Sequence, residues 1–157
     1  MQATGPGSRP GPGSGGLTST WLELTKVECF RLLVGEPVGR LAFVDDRGPI
    51  VLPVNFTVDN HTLLIRSAEG TKLGVLGRGD KVAFEVDGID AASGTGWSVL
   101  VRGEAIEVTD AVELARLRTL PLRPWAPGAK EHFLRILPAV ITGRRISAAS
   151  AAAERGG

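Results

Sequence analysis

The chain has 157 residues, 43% of them hydrophobic and 22% charged, which suits one domain with a single core and leaves little material for a second. Eighteen Lys and Arg against 17 Asp and Glu leave a formal charge of +1, so no overall field draws the chain to nucleic acid or to an acidic membrane. One Cys and two His exclude an internal disulfide and make a poor set of metal ligands; with no apolar run near the ~18 residues that cross a bilayer and no signal-like N-terminus, a cytoplasmic protein is expected.

Residues 1–16, MQATGPGSRPGPGSGG, offer nothing to bury and are expected to form a disordered tail. Residues 147–157, rich in Ala and Ser, are expected to form a flexible second tail, which leaves one domain over 17–146. Inside it, Thr25-x-x-Glu28 has capping-box spacing, and Val27, Phe30, Leu33 and Val34 recur at helical intervals, so a helix is predicted to end near Gly35. The period then becomes strand-like. Val38–Val44, Ile50–Val58 and Thr62–Arg66 read as a meander, joined by the turns Asp45-Asp46-Arg47-Gly48 and Asp59-Asn60-His61. A short helix is predicted within Ser67–Leu76, then a strand over Val82–Val86, a polar loop over Gly88–Gly96 and a long strand over Trp97–Val108, with Gly103 marking a bulge or bend. Asp110-x-x-Glu113 starts a second helix, Pro121–Gly128 forms a rigid loop, and Phe133–Ile141 is the last strand, where Pro138 favours an edge, a bulge or a break.

Six strands with tight turns and short helices predict a mainly β fold, a six-stranded antiparallel barrel. Side chains fill the interior of so small a barrel, so a large ligand belongs outside it, in a groove or at a subunit contact.

The segment Arg66-Ser67-Ala68-Glu69-Gly70-Thr71-Lys72 sets two cations and two hydroxyls around a strand end and a helix start, a combination that can grip phosphate. A solvated basic turn has the same spacing, and the Walker pattern is absent. Arg40 interrupts an apolar strand and should lie on the face opposite Leu41 and Phe43, either in solvent or against an anionic partner. Pro53-Val54-Asn55 interrupts another, which suits an edge or backbone facing a ligand. Trp97 and Trp125 could present flat surfaces to a planar ligand or simply pack. Cys29 reads as a packed hydrophobe, and His61 and His132 accompany no nucleophile motif.

Taken in order, Val38-Gly39-Arg40-Leu41-Ala42, Pro53-Val54-Asn55-Phe56, Arg66 to Leu73, Val82 to Asp87, Gly96-Trp97-Ser98-Val99 and Pro124-Trp125-Ala126-Pro127 resemble the pyridoxamine 5′-phosphate oxidase-like FMN-binding split-barrel family. The resemblance covers about residues 24–146 and is strongest to short actinobacterial-type members. It implies a homodimer with a flavin in each groove between subunits. On its pattern Arg66, Ser67, Thr71 and Lys72 would hold the FMN phosphate, and Arg40, Val54 and Asn55 would line the ring. Trp97 would reach across from the partner subunit, and Trp125 would lie near the ring. The implied function is an FMN-dependent oxidoreductase acting on a small organic substrate, with no obligatory protein nucleophile and no metal. A deazaflavin-dependent reductase and a non-enzymatic flavin sensor or carrier are the alternatives. Ser67 stands where Thr is commoner, and the C-terminal substrate segment of the vitamin B6 oxidases has no counterpart, so oxidation of pyridoxamine phosphate is not implied.

Overall fold

A computed structural model of the protein describes residues 20–68, 76, 78–125 and 127–147. The elements are β1 (Thr20–Leu24), α1 (Lys26–Gly35), β2 (Val38–Asp45), β3 (Gly48–Asp59), β4 (Thr62–Ser67), β5 (Arg78–Asp90), β6 (Thr95–Glu107), α2 (Ala111–Leu117) and β7 (His132–Ser147). All strand pairings are antiparallel, in the order β1-β7-β4-β3-β2-β5-β6, and a further β7–β6 pairing closes β2 to β7 into a ring.

The sheet has seven strands where six were predicted, because Thr20–Leu24 pairs with Gly143–Ser147. TWLEL is short and does not alternate strictly between apolar and polar residues, so it carries no strand signal of its own; a partner more than 100 residues away makes it a strand. The polar loop expected over Gly88–Gly96 shrinks to a turn at 91–94, because β5 and β6 stay paired out to Asp90 and Thr95. The expected tails lie outside the described residues except for Ser147, which pairs with Thr20.

Alternation along the strands builds the core. Leu41 and Phe43 of β2, Val54 and Phe56 of β3, Leu63 and Ile65 of β4, Val82, Phe84 and Val86 of β5, and Val99 and Val101 of β6 point inward and exclude solvent. The ladder between β6 and β7 shifts register where Gly103 faces Pro138, so the bulge expected at Gly103 and the irregularity expected at Pro138 are one feature. A Cβ on Gly103 would lie 2.0 Å from the Leu137 carbonyl oxygen, so only glycine lets the two backbones approach this closely.

Two strands change partners, and this splits the barrel. β7 pairs with β4 through His132–Ile136 and with β1 through Gly143–Ser147. α1 packs against this side, with the Cys29 sulfur 2.5 Å from the position of a Cβ on Gly143. β3 pairs with β2 over Gly48–Asn55 and with β4 only over Phe56–Asp59. A second cluster, Leu64, Leu117, Leu122 and Phe133, fastens α2 and the loop after it to the outside of β4 and β7. No helix among the described residues is long and apolar enough to cross a membrane.

Candidate functional site

The change of partner in β3 creates an open backbone edge. Alternate residues of a strand turn their N–H and C=O groups to opposite sides, and over Gly48–Asn55 one of those sides pairs with β2. On the other side no strand is paired among the described residues, because the β3–β4 ladder stops where Phe56 faces Ile65. Pro53, opposite Arg40 in the β2 ladder, lies in this half-paired stretch, in keeping with the edge its residue type calls for.

Asn55 stands at the switch point. Its Nδ2 donates to the Pro37 carbonyl at 3.3 Å, and its Oδ1 accepts the Trp125 N–H at 2.8 Å. One side chain thus ties the start of β2 and the loop after α2 to the same point of β3. Trp125 is 72% exposed there, and with Pro37, Asn55, Thr57 and Arg123 it borders a groove of about 590 Å³. Val54 points the opposite way, into the core, so only its main chain can face a ligand at this edge.

Arg66, next to the end of β4, lies on the outer side beside Phe133, with its guanidinium carbon 5.1 Å from the ring centroid. Nε and Nη2 donate to the Lys130 carbonyl at 3.1 and 2.8 Å, which holds the same loop that carries Trp125. Nη1 has no hydrogen bond to the described residues. Ser67 is 2% exposed, with its hydroxyl donating to the Ala68 carbonyl at 3.2 Å. Thr71 and Lys72 lie outside the described residues, as does most of the helix expected in Ser67–Leu76.

Arg40 lies on the outer face, as alternation requires. Its Nη1 donates to Asp87 Oδ1 at 2.7 Å and lies 3.9 Å from Glu85 Oε2. Burial, helped by the neighbouring Asp87, pushes the Glu85 carboxyl up, and Arg40 opposes that shift. The sequence leaves the anionic partner of Arg40 unnamed, because only the β2–β5 register sets Arg40 opposite Glu85.

Trp97 sits apart from the Asn55 groove. It packs at the margin of the core over Gly88, where a Cβ would come within 2.6 Å of its Nε1, and it borders a smaller recess of about 250 Å³ with Trp21 and Arg144. Within one chain the structure therefore joins Asn55, Trp125 and Arg66 through shared loop contacts, keeps Arg40 on the adjacent outer face, and leaves Trp97 at another rim. Among the described residues no three His, Cys, Asp or Glu side chains cluster to hold a metal.

The comparisons with known proteins agree with this architecture. Residues 25–145 match the family model described as pyridoxamine 5′-phosphate oxidase. The uncharacterized protein Rv0080 of Mycobacterium tuberculosis is 37% identical over 134 residues, which span 82% of this chain and 88% of that protein. The FAD binding protein of Mycobacterium smegmatis is similar in structure, with a TM-score of 0.67 and 39% identity over 78% of this chain and 96% of that one. An FAD-binding protein of Mesorhizobium loti has a TM-score of 0.65 and 26% identity over 83% of this chain and 99% of that one. With its split barrel, its partner switch in β3 and a match across nearly all of the described domain, the chain belongs to the pyridoxamine 5′-phosphate oxidase-like family of flavin-binding proteins.

Proposed function

We propose that the protein is a flavin-dependent oxidoreductase that holds FMN along the open edge of β3, between two copies of the chain, and acts on a small organic substrate in the cytoplasm. The half-paired stretch Gly48–Asn55 carries this reading. A row of backbone donors and acceptors beside an apolar barrel wall suits a flat ring with carbonyl and N–H groups along its edge. Arg66 keeps Nη1 for a phosphate oxygen, next to Ser67, and Thr71 and Lys72 are proposed to complete that anchor. Main-chain groups of Val54 and the outward side chain of Asn55 would line the ring, with Trp125 as its cover against water. Arg40, held by Asp87, would place positive charge near the ring's polar edge.

When bound, a flavin supplies hydride-transfer chemistry. The chain contributes binding, orientation and shielding, and needs no nucleophile of its own.

A second copy is part of the proposal. Ala42, Val44, Val51, Ala83 and Val140 form a shallow apolar depression of about 530 Å³ on the outer face, with Val44 and Val51 72% and 62% exposed. A patch like this is the kind a partner subunit covers. Trp97, which has no place in its own chain's groove, would then approach the cofactor of the other copy.

FAD is the second reading, favoured by the descriptions of the proteins from M. smegmatis and M. loti. Purification without added cofactor, a visible spectrum and chromatography of the released flavin distinguish the two. A colourless protein that takes up neither FMN nor FAD overturns the proposal, and preferential uptake of a deazaflavin replaces it. Tight flavin binding without turnover on any acceptor leaves a sensor or carrier. Arg66→Ala is expected to weaken flavin binding by about 1.5–3 kcal/mol, the range for hydrogen bonds to charged groups. Unchanged affinity removes Arg66 from the phosphate site.

A further inference from the structure

The first helix carries apolar residues that the fold does not bury. Its inner side gives Cys29 and Leu33 to the core, whereas Val27 and Val34 are 61% and 69% exposed. Residues 27, 30, 31 and 34 stand at positions i, i+3, i+4 and i+7, so Val27, Phe30, Arg31 and Val34 form a single stripe. With Lys26 and His61 they line a depression of about 700 Å³. His61, in the left-handed region at φ 61°, sets its ring edge-on to Phe30 with the centroids 5.1 Å apart.

Scattered exposed apolar side chains are ordinary, but a continuous stripe with one sign of charge is informative. The lining contains two cations and no carboxylate. Lys26 and Arg31 take part in none of the salt bridges among the described residues. Glu28, the nearest acid along the helix, turns back to cap Thr25, with its Oε2 2.7 Å from both the N–H and the hydroxyl of that residue. Val34 also lines the groove under Trp125, so the two depressions meet at that residue.

We propose that this stripe is a substrate subsite, and that the substrate is an organic anion with an extended apolar body. The body lies on Val27, Phe30 and Val34, the anionic group meets Lys26 and Arg31, and the uncharged end passes Val34 toward Asn55 and Trp125. The word substrate rests on the flavin reading above; the anion-selective binding does not.

The test uses the full chain with 1-anilinonaphthalene-8-sulfonate as a fluorescent probe, displaced by dodecanoate or by dodecyltrimethylammonium. Saturable binding with displacement by dodecanoate at concentrations at least tenfold below the cationic amphiphile is expected. Lys26→Glu with Arg31→Glu should weaken both anions at least tenfold and leave flavin titration unchanged. Lys26→Gln with Arg31→Gln, a milder change at exposed positions, should weaken them in the same direction, and thermal melting checks that each variant is folded. Equal displacement by the two amphiphiles, or native probe affinity in the folded charge variants, overturns the assignment. It is also overturned if Val34→Asp changes sedimentation but not probe affinity, since the stripe is then a protein contact. A protein that takes up no flavin yet binds both anions in this charge-dependent way keeps the anionic site and removes the flavin reading.

Discussion

Asn55 shows how much one amide can organise when its two ends face different elements. Its donor meets Pro37 ahead of β2 and its acceptor meets Trp125, 70 residues further along the chain. Asn55→Ala removes both bonds and releases the loop that forms one wall of the groove. We expect flavin affinity to fall about tenfold, or ~1.4 kcal/mol, in a titration followed by visible absorbance. Asn55→Asp, which keeps an acceptor for the Trp125 N–H, should retain part of the difference. Native affinity in Asn55→Ala would remove this residue and its loop from the site. Gly88 makes the opposite point, since its importance lies in what it lacks: a Cβ there would meet the Trp97 indole at 2.6 Å. Pro53-Val54-Asn55 stood out in the sequence as an interruption, but its partners were not legible, because hydrogen bonding across 70 residues leaves no local pattern.

Between elements, the least apparent feature in the sequence is the ion network that docks α2. Asp59, 9% exposed at the end of β3, accepts from Arg116 Nη1 and Nη2 at 3.0 and 2.7 Å and from Arg135 Nη1 at 3.0 Å. Glu113 links the same two arginines from α2, accepting from Arg116 Nη2 at 2.8 Å and from Arg135 Nη2 at 2.5 Å. The hydrogen bonds from Arg116 are the main cause that holds the Asp59 carboxyl below its usual range, with Arg135 adding to it against burial. The lowered value in the folded state means that Asp59 stabilises the fold fully above its unfolded pKa, about 3.9, and loses that contribution as pH falls through the lower folded value. Asp59→Ala should cost about 2–3 kcal/mol in urea unfolding at neutral pH, between the values for exposed and buried ion pairs, because Arg116 is 42% exposed in its side chain. Asp59→Asn should also flatten the acid side of the stability–pH curve below about pH 4; an unchanged acid limb would assign that loss to other carboxylates. The β6–β7 bulge carries a separate prediction. Gly103→Ala drives a methyl into the Leu137 carbonyl and should lower stability by about 2–3 kcal/mol, read from the denaturant midpoint.

At the scale of the whole molecule, the closed ring removes most sheet edges, and one of those left among the described residues is the stretch of β3 over Gly48–Asn55 that β4 does not pair, the edge on which the flavin proposal rests. The apolar outer face is another feature that appears only when five strands come together: Val44 and Val51 belong to the β2–β3 hairpin, and Val140 joins them from β7, far along the chain. If a second copy covers it, Val51→Glu should shift sedimentation from dimer to monomer while circular dichroism stays native, because the side chain lies outside the core. Flavin affinity should fall in parallel if the site is shared between copies. A monomer that binds flavin as tightly as the native protein would place the whole cofactor site within one chain.

The capping box at Thr25, the alternation in β2, β3 and β4, the bulge at Gly103 and the antiparallel barrel class were all legible in the sequence, since each rests on near neighbours or on a period of two. In α1 the spacing is right for Leu33, and Cys29 is the packed hydrophobe it reads as, whereas Val27 and Val34 share the helical spacing yet stay exposed. β1, the partner switch in β3, the Asp59 network and the Asn55–Trp125 tether were decided by the tertiary structure alone. Propensity and periodicity are local, whereas which strand lies beside which, and which face is left uncovered, follows from closing the sheet into a ring.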